Sequence, residues 1–215
     1  MIRRVMRAFF SRMTIAAFLA LLLLAPGFAD AAEDAAGTLT RLKGSVVAMQ
    51  DAVPRPLKVG DKVRKGDEIS TGKGARLEMR MLDDAVMTLG EKTIFIVIDY
   101  IAVGAEPNAA MRLLQGTFSA VSGKMMKTAA AKFTVETEVA TIGIRGTTFW
   151  GGMLDGVFEV ALLDGKEVFI ENKAGRVVID KVGDGTAIRA VDTALAPPKK
   201  WGSVKLGRAI ATVAF

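Results

Sequence analysis

Asp83 and Asp84 offer adjacent carboxylates, which can act as paired acids in hydrolysis or as ligands of a calcium ion. A solvated turn at a strand end explains the same pair more simply. Arg145-Gly146-Thr147 offers a second chemistry, because a planar guanidinium can grip a carboxylate or a phosphate. The competing structural role has Arg145 tie a neighbouring turn by donating to its carbonyls or to an Asp, with Gly146 permitting a bulge or a close backbone approach. Thr71-Gly72-Lys73-Gly74 lacks the spacing of a phosphate loop, and Ala75-Arg76 opens a strand where that motif needs a helix, so a turn is preferred. Lys124, Lys127 and Lys132 make a basic loop, read as solvated, with contact to an anionic surface as the alternative. Trp150 and Trp201 suit core or rim packing better than sugar stacking, and the eleven methionines read as core filling.

What the chain lacks narrows the chemistry further. Its 215 residues include no His and no Cys. Ser-His and Cys-His nucleophile pairs, thiolate chemistry and ordinary zinc or copper sites are therefore excluded. Acid-base work is left to Asp, Glu, Lys and the single tyrosine, Tyr100. No cofactor and no metal are implied, and the expectation is that the protein is not an enzyme.

The elements that must position these residues begin after an N-terminal address. Arg3, Arg4, Arg7 and Arg12 precede a short apolar run, Thr14 to Ala25, which Pro26-Gly27 ends before the small residues Ala29-Asp30-Ala31. This order reads as a Sec signal peptide, residues 1–31, with cleavage after Ala31 and Ala29 as the alternative site. The run is too short for a comfortable membrane span, which needs about 20 residues. Cleavage removes four arginines and Asp30 and lowers the formal charge from +6 to +3. That is too small and too scattered an excess for a nucleic-acid binder. A periplasmic protein without a membrane span in its mature form is expected.

Period-2 patterns dominate the remainder. In Arg76-Leu77-Glu78-Met79-Arg80-Met81 apolar and charged side chains alternate, as in a strand with one wet face. Phe133, Val135 and Thr137 alternate with polar residues in the same way. Thr93 to Ile98 is continuously β-branched and aromatic, which suits a strand buried on both faces. Asp155-Gly156, Asp164-Gly165, Lys173-Ala174-Gly175 and Gly183-Asp184-Gly185 recur about every ten residues and read as hairpin turns. The expected class is all-β, as a sandwich, a roll or a solenoid. Ala109 to Gln115 suits a turn or two of helix, and Met125 to Lys132 a short helix or a loop. Residues 38–191 form the expected β-domain and 192–215 a tail, with one last strand at Ala209 to Phe215.

Two stretches together resemble the FecR domain family of exported bacterial proteins. The first runs Gly60-Asp61, Gly66-Asp67, then Thr71-Gly72 and a strand. The second is Ala140-Thr141-Ile142-Gly143-Ile144-Arg145-Gly146-Thr147-Thr148-Phe149, similar to that family's most specific signature. The resemblance covers residues 38 to 190. It marks Gly60, Asp61, Gly66, Asp67, Thr71, Gly143, Arg145, Gly146, Thr147 and Phe149 as signature positions, read as structural. It departs from the family pattern at Asp83-Asp84 and at Glu138, positions to which no chemistry attaches. Well-known members carry a cytoplasmic sigma-regulating segment before a membrane span; here about a dozen residues precede the apolar run, and no such segment is expected. The resemblance implies a free-standing periplasmic FecR-like module that receives signals or binds an envelope protein, a receptor or secretion component. The competing class is an exported hydrolase working through Asp83 and Asp84, or a carbohydrate-binding β-domain.

Overall fold

A computed structural model describes residues 34–215, so the signal-peptide reading of residues 1–31 lies outside the described residues. The first half of the described chain forms β1 (Ala35–Lys43), β2 (Val46–Gln50), β3 (Val53–Pro56), β4 (Lys62–Arg64), β5 (Glu68–Thr71), β6 (Arg76–Met81), β7 (Val86–Leu89) and β8 (Ile94–Ile101). The second half forms β9 (Asn108–Gln115), β10 (Thr117–Val121), β11 (Lys132–Glu136), β12 (Thr141–Leu154), β13 (Val157–Asn172), β14 (Gly175–Ile179), β15 (Asp184–Ile188) and β16 (Lys199–Lys200). A 3-10 turn at Lys124–Lys127 and a terminal helix α1 (Ser203–Ala211) complete it.

All strands join one curled sheet whose main path is β3-β2-β5-β8-β9-β11-β12-β10-β7-β6-β1-β4. Pairing is antiparallel except between β9 and β11, which rules out the stacked parallel coils of a solenoid. The sheet divides at β12. One edge of β12 is followed by β13 along nearly its whole length, Thr141↔Glu171 through Leu154↔Val157. Its other edge takes β11 at Thr141–Gly143 and β10 at Thr148–Gly152. The β12–β13 hairpin is thus the beam to which two half-sheets attach.

Alternation builds the core between those halves. Leu77, Met79 and Met81 of β6 point inward while Arg76, Glu78 and Arg80 point out, as their period-2 spacing requires. Rings from both halves interlock: Phe118 lies 5.8 Å from Phe95 and 5.3 Å from Phe149, whose other flank meets Phe133 at 6.4 Å. The two pairs made by Phe149 are edge-on, and such pairs are worth about 0.5–1.5 kcal/mol each beyond the area they bury.

Several sequence expectations need correction. Ala109 to Gln115 is strand, because Ala109, Met111 and Leu113 alternate inward and pair with β8 and β11. The run Thr93 to Ile98 buries Phe95 and Val97 on one face only and leaves Ile98 39% exposed on the other. Asp164-Gly165 is not a turn: β13 continues through it without interruption, with Gly165 at φ +96°. Residues 209–215 are not a strand. Leu206 and Ala209 fall at helical spacing on α1, and with Val213 just beyond it they pack onto Trp150, Leu154 and Ala161, away from the main core. Trp150 and Trp201 pack there with ring centroids 6.1 Å apart.

Candidate functional site

The signature glycines and threonines hold backbone geometry. Gly146 (φ +60°) lies on β12 between the residues paired to β11 and those paired to β10, and a Cβ there would meet open space. Opposite it, a Cβ on Gly165 would run into the Gly146 carbonyl and lie 2.7 Å from the Thr147 Cα. The hairpin therefore bends where two glycine backbones touch. Thr147 fastens the bend: its hydroxyl donates to the Glu167 carbonyl (2.8 Å), and its N–H donates to the Ser122 hydroxyl (2.9 Å). Phe149 is fully buried.

The first signature stretch builds turns. Asp61 accepts from the Lys58 amide (2.8 Å) beside Gly60 at φ +93°. Asp67 is buried, next to Gly66 at φ +82°, and accepts from Arg55 Nη2 (2.7 Å) and the Arg64 amide (2.8 Å). The Thr71 hydroxyl donates to the Gly90 carbonyl (2.6 Å) and accepts from the Thr93 amide (2.9 Å).

Asp83 and Asp84 do not form an acid pair. The Asp83 carboxylate is buried and accepts from the Tyr100 hydroxyl, the Ala85 amide (3.1 Å) and the Met125 amide (3.2 Å). Burial, and then the bond to Asp83, push the Tyr100 phenol far above its ordinary pKa. Asp84 points outward to Lys124 Nζ (2.5 Å), whose bond holds its carboxyl below the usual range. One acid is consumed inside the fold and the other faces solvent. The solvated-turn reading holds for Asp84 and fails for Asp83.

Arg145 does not tie a turn. Its side chain is 68% exposed and approaches only Glu167, at 3.9 Å. It lines the mouth of an open groove of about 590 Å³ on the outer face of the sheet. Thr134, Gly143, Phe169 and Val178 stand in one row across β11, β12, β13 and β14, and of these Thr134 and Phe169 line the groove. Gly143 has no side chain to displace the Phe169 ring, which lies where its Cβ would be. Arg176 stands over that ring, 4.2 Å from its centroid. Lys127, Lys132 and Lys166 complete the rim. Lys127 and Lys132 belong to the basic loop noted in the sequence; Lys166 and Arg176 carry no motif. Only the pairing of β12 with β13 and of β13 with β14 brings them near Arg145.

Among the described residues no helix is long and apolar enough to cross a membrane. The FecR protein family matches residues 67–166 of the chain, which include the β12 signature and most of the groove. No curated protein matches the chain. Two crystal structures of a candidate anti-sigma factor from Parabacteroides distasonis ATCC 8503, at 1.65 and 2.50 Å resolution, share the fold. Each superposes with a TM-score of 0.52 at 15% identity over 65% of this chain, which spans 62% of that protein. The signature strand and the family match fall on the same stretch, so residues 67–166 of the chain are similar to the FecR protein family.

Proposed function

We propose that this protein is an exported, non-catalytic regulatory module of the cell envelope, which receives a signal by binding another envelope protein. In this reading residues 1–31 are a cleaved signal peptide, 38–191 the β-domain and 192–215 a C-terminal segment. The FecR match and the likeness in fold to a candidate anti-sigma factor support a regulatory role. The observation that carries the reading is the division of charge. The buried carboxylates Asp67, Asp83 and Glu159 each accept from protein donors, and the open surface beside the signature strand is cationic. Such a surface can hold an anionic partner but has no acid–base pair to turn one over.

The test is in-cell photo-cross-linking from position 166, with position 58 as the control. A discrete adduct with an envelope protein from 166 alone is expected, from a chain whose mature N-terminus is Ala32. Adducts confined to cytosolic proteins, or turnover of a glycan, peptide or phosphoester abolished by Asp84→Asn, would overturn it.

A further inference from the structure

We infer that the groove beside Arg145 takes an extended acidic peptide segment of the partner protein, one in which carboxylates alternate with apolar residues; the inference rests on the binding-module reading above. The groove is lined by five cations, Lys127, Lys132, Arg145, Lys166 and Arg176, and by one acid, Glu167. Residues 34–215 contain 25 lysines and arginines against 21 acids, an excess of four. The groove's own excess is also four, so the other described residues sum to no net charge, buried acids included. Concentrating the whole excess at one place is electrostatic complementarity to an anion, and it steers encounter as well as holding the complex. These cations are also largely free. Of the five, only Arg145 has a carboxylate within 4 Å among the described residues.

The spread of the charges selects an extended ligand over a point anion. Lys132 is on β11 and Arg176 on β14, three strand spacings or about 14 Å apart across the sheet and further offset along the strands, because Arg176 stands in the row of Glu136. A single phosphate cannot reach both. Side chains at alternate positions of an extended peptide lie about 7 Å apart, so three alternating acids span the same distance across the sheet. Between the cations the floor is apolar, with Phe169 at its centre and Met126 at the wall, and accepts the intervening side chains. Arg176 covers one face of Phe169 and Gly143 seats its tip, so the ring serves as floor and offers a sugar little stacking surface.

The probe is a fluorescein-labelled, end-blocked octapeptide of alternating glutamate and valine, followed by anisotropy with the purified protein. Saturable binding that weakens as salt rises is expected, and the glutamine–valine counterpart should bind at least about tenfold more weakly. Arg145→Glu and Lys166→Glu, both at exposed positions, should each reduce affinity by about tenfold, while Lys58→Glu leaves it at the parent value. Equal binding of the glutamine peptide, salt-independent binding, or indifference to both reversals overturns the inference. So does charge-reversal-sensitive binding of polygalacturonate, inorganic phosphate or phosphatidylglycerol vesicles when the peptide does not bind. A cross-link from position 166 to an envelope protein alongside peptide failure removes the acidic-segment inference alone. Failure of the cross-link removes the module reading itself.

Discussion

At the scale of single residues, Asp83 shows how a carboxylate taken out of water can tie separate elements together. Asp83 anchors the 3-10 turn by accepting from the Met125 amide and anchors β8 by accepting from Tyr100. The phenol is held neutral in the native state, and this fixes a pH dependence. A group whose folded pKa lies above its unfolded value of about 10 contributes its full stability below that pH and loses it as pH rises toward the folded value. Stability should therefore fall above pH ~10, by up to about 1.4 kcal/mol per unit for this one proton. Tyr100 is the only tyrosine, so phenolate absorbance reports it alone. The phenolate band should appear together with loss of the folded circular dichroism and not before. A band rising near pH 10 in a still-folded protein would contradict the sealed Asp83–Tyr100 pair. Tyr100→Phe should remove the alkaline slope and cost about 1–3 kcal/mol at neutral pH, because Asp83 loses a donor.

At the scale of elements, the β12–β13 hairpin has to serve two half-sheets with one pair of strands, and it does so by bending at Gly146 and Gly165. The two glycines are not equivalent. Gly165→Ala drives a Cβ into backbone that cannot yield, at φ +96°, and should cost more than about 3 kcal/mol. Gly146→Ala meets open space and should cost only about 1–2 kcal/mol, the left-handed backbone term. Arg145→Ala lies one residue away and should cost less than about 0.5 kcal/mol, since an exposed pair at 3.9 Å contributes little. Urea denaturation of the three variants gives the order directly. If Arg145→Ala proved the most damaging, the bend would be held by its guanidinium and the account of two touching backbones would be wrong.

For the whole molecule, the terminal helix does what a core strand could not. It roofs Trp150, Leu154 and Ala161, which lie on a face that the curled sheet cannot cover with itself. The Trp150 indole donates to the Thr212 hydroxyl (2.9 Å), Lys205 pairs with Glu159 (2.8 Å) and Arg208 with Asp155. Both tryptophans of the chain sit in this cluster, so their fluorescence isolates it. Truncation after Gly202 should shift tryptophan emission to the red and destabilise the protein by about 2–4 kcal/mol, the scale of opening a large side chain to solvent. Unchanged emission in the truncated chain would mean that another segment covers Trp150.

How much of this could be read without coordinates follows from the range of the interactions involved. Strand class was legible because alternation is local: Leu77, Met79 and Met81 share a face whatever their partners. The FecR relationship was legible for a similar reason, since Gly60-Asp61, Gly66-Asp67 and Arg145-Gly146-Thr147 are short and contiguous. The turn at Asp155-Gly156 was legible too, because both residues adopt the positive φ that the dipeptide favours (55° and 78°). Asp164-Gly165 has the same spelling, yet β12 pairs past it on the neighbouring strand and makes it a bend inside β13. Asp83 looked like a turn carboxylate, and only the arrival of Tyr100 and Met125 from later elements buried it. The groove is the clearest case. Its cations come from the 3-10 turn, β11, β12, β13 and β14, and nothing in their spacing links them. Local alternation is enough to tell which side chains share a face of their own strand. Which strands become neighbours, and where they bend, depends on burying one shared core between two half-sheets, and that energy belongs to no single segment.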